Sequence, residues 1–152
     1  MERALGAYLI STDRARLDLD AIHSYLSRES YWARGRSRER IVRGIENSLP
    51  FGVYKDGAQV GFARVVTDYA TFAWLADVYV LESDRGQGLG KALIETVVEH
   101  AAVRDLPRVV LATADAHGLY EQYGFSALQR VERFMAIEAP GAADDCAEGR
   151  GC

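Results

Sequence analysis

Residues 74 to 91 read Trp74-Leu75-Ala76-Asp77-Val78-Tyr79-Val80-Leu81-Glu82-Ser83-Asp84-Arg85-Gly86-Gln87-Gly88-Leu89-Gly90-Lys91. An apolar run ends at Leu81. From Leu89 a helical pattern takes over, with Leu89, Leu93, Ile94, Val97, Val98 and Ala101 on one stripe. Three alternating glycines stand at this strand-to-helix junction. Backbone N–H groups can converge there without side chains in the way, and the helix adds its own free N–H groups and the positive end of its dipole. Arg85 and Lys91 bring cations beside them. Such a junction suits a phosphate or pyrophosphate.

Two familiar phosphate loops do not fit. A P-loop needs a hydroxyl after Gly-Lys and a glycine five residues before that Gly. Gly90-Lys91 is followed by Ala92, and position 85 is arginine. The dinucleotide fingerprint needs a third glycine where Lys91 stands.

The rest of the chain is organised around this junction. An early strand is expected over residues 5–10 and a short helix over Asp18 to Ser27, with Leu19, Ile22 and Leu26 on one face. Ser37 is placed to cap a helix from Arg38 to Asn47. The period then changes to strands. Phe51 to Lys55 and Gln59 to Thr67 flank the hairpin signal Asp56-Gly57, and Asp68-Tyr69-Ala70 turns the chain into Thr71 to Leu81. The helix from Leu89 is expected to reach Val103. Arg108 to Thr113 reads as a buried parallel strand. A short helix over Ala116 to Tyr123 is closed by Gly124, and strands are expected over Phe125 to Gln129 and Glu132 to Ile137. Beyond Pro140 periodicity is lost, so residues 1–139 are expected to form one domain and 140–152 a disordered tail.

These elements predict an α+β domain with helices on both faces of a mixed sheet. The 152 residues match one domain; 49% apolar and 26% charged residues are the balance of a soluble globular protein. A formal net charge of −4 argues against nucleic acid as a partner. No apolar run has membrane-spanning length, and no signal-peptide pattern opens the chain; a cytoplasmic location is the expectation. The cysteines, Cys146 and Cys152, lie in the tail without zinc-ligand spacing, so no metal site is expected.

Residues 80–91, VLESDRGQGLGK, resemble the acetyl-CoA signature of the GNAT superfamily of N-acetyltransferases: Arg85, Gly88 and Gly90 fill its Arg/Gln-x-x-Gly-x-Gly/Ala pattern. A second matching element is Gly118-Leu119-Tyr120-Glu121-Gln122-Tyr123-Gly124-Phe125, and the resemblance spans about residues 5–138. It implies a twisted sheet whose fourth and fifth strands, here Thr71 to Leu81 and Arg108 to Thr113, are parallel and splay apart. Acetyl-CoA would lie in the split as co-substrate. The pyrophosphate would sit on Arg85, Gly86, Gln87, Gly88, Leu89, Gly90 and Lys91, and the pantetheine arm on backbone groups of Val78 and Val80. The acceptor would be a primary amine on a small molecule or a peptide, and the protein a monomer or homodimer. The runner-up is a non-catalytic acyl-CoA-binding or regulatory module. Glu82 and Asp84 depart from the family, whose members often carry proline and an aromatic residue there.

Within that frame, Asp77 is the candidate base. It is the only acid in the strand's apolar run, and an apolar setting would raise its pKa. Tyr120 is the candidate acid: a matching family tyrosine protonates the departing thiolate. His117, one turn earlier, takes a place where relatives often have asparagine, beside the pantetheine or the helix start. For the acceptor pocket the aromatic candidates are Tyr31, Trp32, Tyr69 and Phe72. Between Arg28 and Arg43 stand six arginines against two glutamates, a local +4 that suits an acidic group on the acceptor.

Overall fold

A computed structural model describes residues 1–137. Turn chemistry sets its first half. β1 (Glu2–Leu5) and β2 (Tyr8–Ser11) form a hairpin about Gly6, which takes φ 56°. The single strand expected over 5–10 therefore straddles a turn. β3 (Leu49–Lys55) and β4 (Ala58–Thr67) pair across Asp56-Gly57, both at positive φ as a two-residue hairpin requires. β4 in turn pairs antiparallel with β5 (Ala73–Val80).

The sheet runs β1-β2-β3-β4-β5-β6 in sequence order. Only β5 and β6 are parallel, so the expected fourth and fifth strands are β5 and β6 here. β6 is shorter than Arg108 to Thr113: it spans Val109–Val110, and its ladder to β5 holds two pairs, Ala73 with Val109 and Trp74 with Val110. Among the described residues the β6-facing edge of β5 is unpaired beyond Trp74, which is the expected splay.

Helices cover both faces. α1 (Leu19–Ser24) starts where the Asp18 carboxylate accepts the N–H groups of Asp20 and Ala21, and continues as one π-type turn, Tyr25–Glu29. α2 (Arg38–Glu46) is capped by Ser37 as the sequence predicts. Together they bury Ile22, Leu26, Ile41 and Ile45 against Phe62 and Tyr79. On the opposite face, α3 (Leu89–Glu99) buries Leu89, Leu93, Ile94 and Val97 against Phe51, Val53, Val65 and Leu75. The result is three layers.

α3 stops short of the expected Val103. His100 leaves the helical region at ψ 134°, and its ring Nδ1 accepts the Ala102 N–H. α4 (His117–Glu121) follows the split, and Gly124 at φ 86° ends that segment as expected. The two closing strands do not form. A strand needs an edge to pair with, and β6 supplies only two ladder residues. Arg130 instead takes φ 58°, followed by a 3-10 turn over Val131–Arg133. The tail expected beyond Pro140, with both cysteines, lies outside the described residues. None of the described helices is long and apolar enough to cross a membrane.

Gly61 marks a close approach to the backbone of β5. A Cβ added there would lie 2.9 Å from the Tyr79 carbonyl oxygen and 3.1 Å from a Val53 methyl. Both neighbours are fixed by the ladder and the core. Gly61→Ala should therefore lower stability by about 1–3 kcal/mol, read as a lower urea midpoint with an unchanged slope.

Candidate active site

The site grows from one irregularity in β5. Phe62 pairs with Tyr79 and Arg64 with Ala76, so Asp77 and Val78 together oppose the single residue Ala63. This is a β-bulge. Asp77 carries its extra turn at φ 53°, a left-handed conformation that costs about 1 kcal/mol and that aspartate tolerates better than most residues. The bulge resets the alternation. Leu75 packs on the α3 side before it; Val78 and Val80 pack there after it, while Tyr79 joins the α1–α2 side. Val78 and Val80 thus lie on the face opposite Tyr79.

Asp77 is 7% exposed and is held by three side chains. Arg64 on β4 donates Nε to Oδ2 at 2.6 Å. Arg36, before α2, donates Nη1 to Oδ1 at 3.0 Å and to Oδ2 at 3.1 Å. The Trp32 indole N–H reaches Oδ1 at 3.2 Å. These bonds fill the acceptor capacity of a carboxylate. Burial alone would push the Asp77 pKa up, but the guanidiniums of Arg64 and Arg36 override it and hold the carboxyl below its ordinary value. The raised pKa expected from the apolar run is therefore reversed, because the run's alternation says nothing of two arginines packed over it.

Asp77 lies in the wall of a cavity of about 330 Å³. Tyr31, Trp32, Arg36 and Arg64 line it from the α1–α2 side; Trp74 to Val78 line it from β5; Ala112 to Ala116 and Tyr120 line it from beyond β6. Tyr120 is 7% exposed, with its ring edge-on to Phe125, and burial pushes its phenol up to about 12. The Tyr31 hydroxyl accepts the Ala114 N–H at 3.3 Å and so spans the cavity. His117 is exposed at the start of α4.

Tyr69 and Phe72 do not join Tyr31 and Trp32 there. They are 60% and 39% exposed and lie outside the cavity, on the β4–β5 turn. Asp68 shapes that turn by accepting the N–H groups of Ala70, Thr71 and Phe72 on one carboxylate oxygen. Sequence reading missed Arg64. The available signal was a charge interrupting Val60-Gly61-Phe62-Ala63-Arg64-Val65-Val66, on the strand that pairs with the one Asp77 interrupts.

The glycine junction opens beside this cavity's strand. Gly86 and Gly88 take φ 76° and 77°, Gly88 caps α3, and a Cβ at either would meet no protein atom within 4 Å. Ala92 is the first residue whose N–H bonds back, to the Gly88 carbonyl at 3.0 Å. Among the described residues the N–H groups of 86–91 find no protein partner. Arg85 does not point its fork into this space: its Nε binds the Val80 carbonyl and its Nη2 the Tyr25 hydroxyl. Asp84 turns away, buried against Tyr8, Lys55 and Ser83. The two acids that depart from the family pattern are thus not equivalent, Glu82 being exposed.

Residues 19–125 match the Acetyltransferase (GNAT) family model. The chain belongs to the GNAT acetyltransferase family. A GNAT-family structure from Xanthomonas campestris pv. campestris shares 44% identity over 91% of this chain and 97% of its own, with a TM-score of 0.86. A Gibberella zeae protein whose name places it among acetyltransferases is 31% identical over 90% of this chain and 92% of its own. The ribosomal-protein-S18-alanine N-acetyltransferase from Escherichia coli is 26% identical over 78% and 77%, with a TM-score of 0.65. The protein is therefore an acyltransferase, of a family that generally uses acetyl-CoA.

Asp77 couples this site to stability. Removing its charge leaves two guanidiniums facing one another with no anion between them. Asp77→Asn should cost about 3 kcal/mol, the lower end for breaking a buried ion pair. A depressed folded pKa makes the carboxylate's contribution complete above its unfolded value near 4 and lost as pH falls below it. Urea unfolding of both proteins should show a constant gap from pH 5 to 8 that narrows below about pH 4.

Proposed function

We propose that the chain transfers an acetyl group from acetyl-CoA to a primary amine by direct attack in a ternary complex. One observation carries this reading: the unpaired edge of β5 and the buried Tyr120 hydroxyl bound the same cavity, next to a junction whose backbone donors are free. The residues fit the donor. The N–H groups of 86–91 would hold its pyrophosphate, with exposed Lys91 adding charge. Backbone groups of Val78 and Val80 on the open edge would hold its arm, though the Val80 carbonyl already accepts from Arg85. Arg85 then braces the loop against β5 and Tyr25, and His117 flanks the site from the first turn of α4. Acetyl-CoA supplies an acyl group activated as a thioester.

Tyr120 is assigned the proton that the leaving thiolate needs. Its raised pKa keeps it protonated at neutral pH. The burial that raises it acts on a thiolate beside it in the same sense and makes that thiolate more basic. Asp77 is better suited to positioning than to proton acceptance, since accepting a proton would break one of its bonds to Arg36, Arg64 or Trp32. The acceptor's proton is then left to water at the open mouth of the cavity.

Thiol release from acetyl-CoA across a panel of amines tests the reaction. Cofactor binding without release for any amine would leave an acyl-CoA-binding module. Tyr120→Phe keeps the ring, so donor affinity by calorimetry should hold while turnover falls roughly 10²-fold. The deficit should shrink with an acyl donor whose thiol has a lower pKa; an equal deficit would leave Tyr120 as a positioning residue, and no deficit would reduce it to packing. Gly88→Val fills the open backbone and should weaken donor binding about tenfold or more, the loss of one or two charge-assisted hydrogen bonds. Unchanged affinity in a folded variant would move the pyrophosphate elsewhere.

A further inference from the structure

One cluster on the cavity wall holds more positive charge than its ion pairs require. Two arginines, Arg36 and Arg64, converge on one carboxylate. They are 29% and 16% exposed, so neither is fully bathed by water. Arg36 uses only Nη1 on Asp77, and Arg64 only Nε. Among the described residues, Arg36 Nε and Nη2 and Arg64 Nη1 and Nη2 have no hydrogen-bond partner. Asp115, the other acid lining the cavity, is exposed and pairs with neither arginine. The cluster Arg36–Asp77–Arg64 therefore carries one uncompensated positive charge, with guanidinium donors to spare, on the cavity wall across from α4.

We infer that the acceptor amine also carries a carboxylate, which Arg36 and Arg64 bind. The inference rests on the acetyl-transfer reading and names the class of its acceptor: a small amino acid-like molecule. Planar guanidinium forks match a carboxylate in shape. The match extends to charge, because a carboxylate's single negative charge neutralises the excess, whereas a phosphate monoester near −2 would overshoot it. A cavity of about 330 Å³ that must also admit the acyl donor's reacting end leaves room for a short skeleton. Exposed Arg34, Arg40 and Arg43 on the same segment give an anionic acceptor a favourable field on approach, although the chain as a whole is at −4. Asp77 is the positioning residue here: its bonds hold both guanidiniums on the cavity wall.

The test is a matched series. Glycine, β-alanine, 4-aminobutanoate, 5-aminopentanoate, alanine and serine are compared with their carboxamides and with the corresponding alkylamines. Thiol release gives kcat/KM, and fluorescence of Trp32 and Trp74, both on the cavity wall, reports binding without the donor. At least one carboxylate should exceed its carboxamide by roughly 10- to 100-fold, the loss expected when a charged hydrogen-bond partner is removed. Arg36→Gln should collapse that ratio mainly through KM, and Arg36→Lys should restore part of it. Acetylation of carboxamides or alkylamines as well as carboxylates would overturn the inference and leave acetyl transfer standing. Arg36-dependent binding of a carboxylate without any thiol release would support the anion site while sinking acetyl transfer. Absence of both carboxylate binding and carboxylate preference would overturn the inference. Should Arg36→Gln fail to fold, the carboxylate-to-carboxamide comparison on the wild-type protein decides alone.

Discussion

The carboxylate of Asp77 ties together three parts of the chain by polar bonds. Its four bonds reach the loop before α2 through Trp32 and Arg36 and the neighbouring strand through Arg64. It can do so only because the β5 bulge turns it toward the α1–α2 layer. Without that extra residue, strict alternation would keep the side chains beyond it in the register set by Leu75, and Val78 and Tyr79 would exchange faces. Tyr79 would then lose its stacking on Tyr25, whose ring centroid lies 3.8 Å away. The left-handed backbone at Asp77 is thus stabilised by packing on both faces of the sheet as well as by its own ion pairs.

How far the sequence could be read follows from this. Short-range signals held: the Asp56-Gly57 hairpin, the Ser37 cap, the start of α3 at Leu89 and the Gly124 stop all depend on a few neighbouring residues. The two motifs identified the family and hence the splay of β5 and β6. The chemistry of Asp77 was legible as a site but not in sign. Its partners lie 45, 41 and 13 residues away, and a bulge cannot be seen in a run of alternating apolar residues. The closing strands failed for a related reason. Residues 125–137 have the apolar content of strands, but a strand's existence depends on the length of its neighbour, and β6 is two residues long. Tyr69 and Phe72 were read as pocket residues because aromatics at a turn usually have something to cover; that turn is instead organised by Asp68 and faces outward.

The loop shows the same division of labour between charge and backbone. Of its two cations, Arg85 is spent on bracing, with its fork on the Val80 carbonyl and the Tyr25 hydroxyl. That leaves Lys91 and a row of N–H groups as the electropositive surface. Asp84 would work against an anion if it faced the loop, but it is buried on bonds from Ser83, Tyr8 and Lys55, which lower its pKa. The non-family acids before the glycines therefore leave the backbone donors intact.

A gap between two parallel strands is normally a liability, since exposed ladder groups and an unfilled volume both cost free energy. Here the gap is kept open by struts of known geometry. Tyr31 crosses it to Ala114, Trp32 stands edge-on to Tyr31 at 4.9 Å and bonds Asp77, and Tyr120 closes the far side against Phe125. Polar groups and an open mouth let water occupy the volume, so it need not collapse. These contacts brace the two walls of the gap against each other. Its wall from the α1–α2 layer presents fixed guanidiniums and its wall from α4 a protonated phenol. Chemically different groups therefore stand on opposite walls of one cavity.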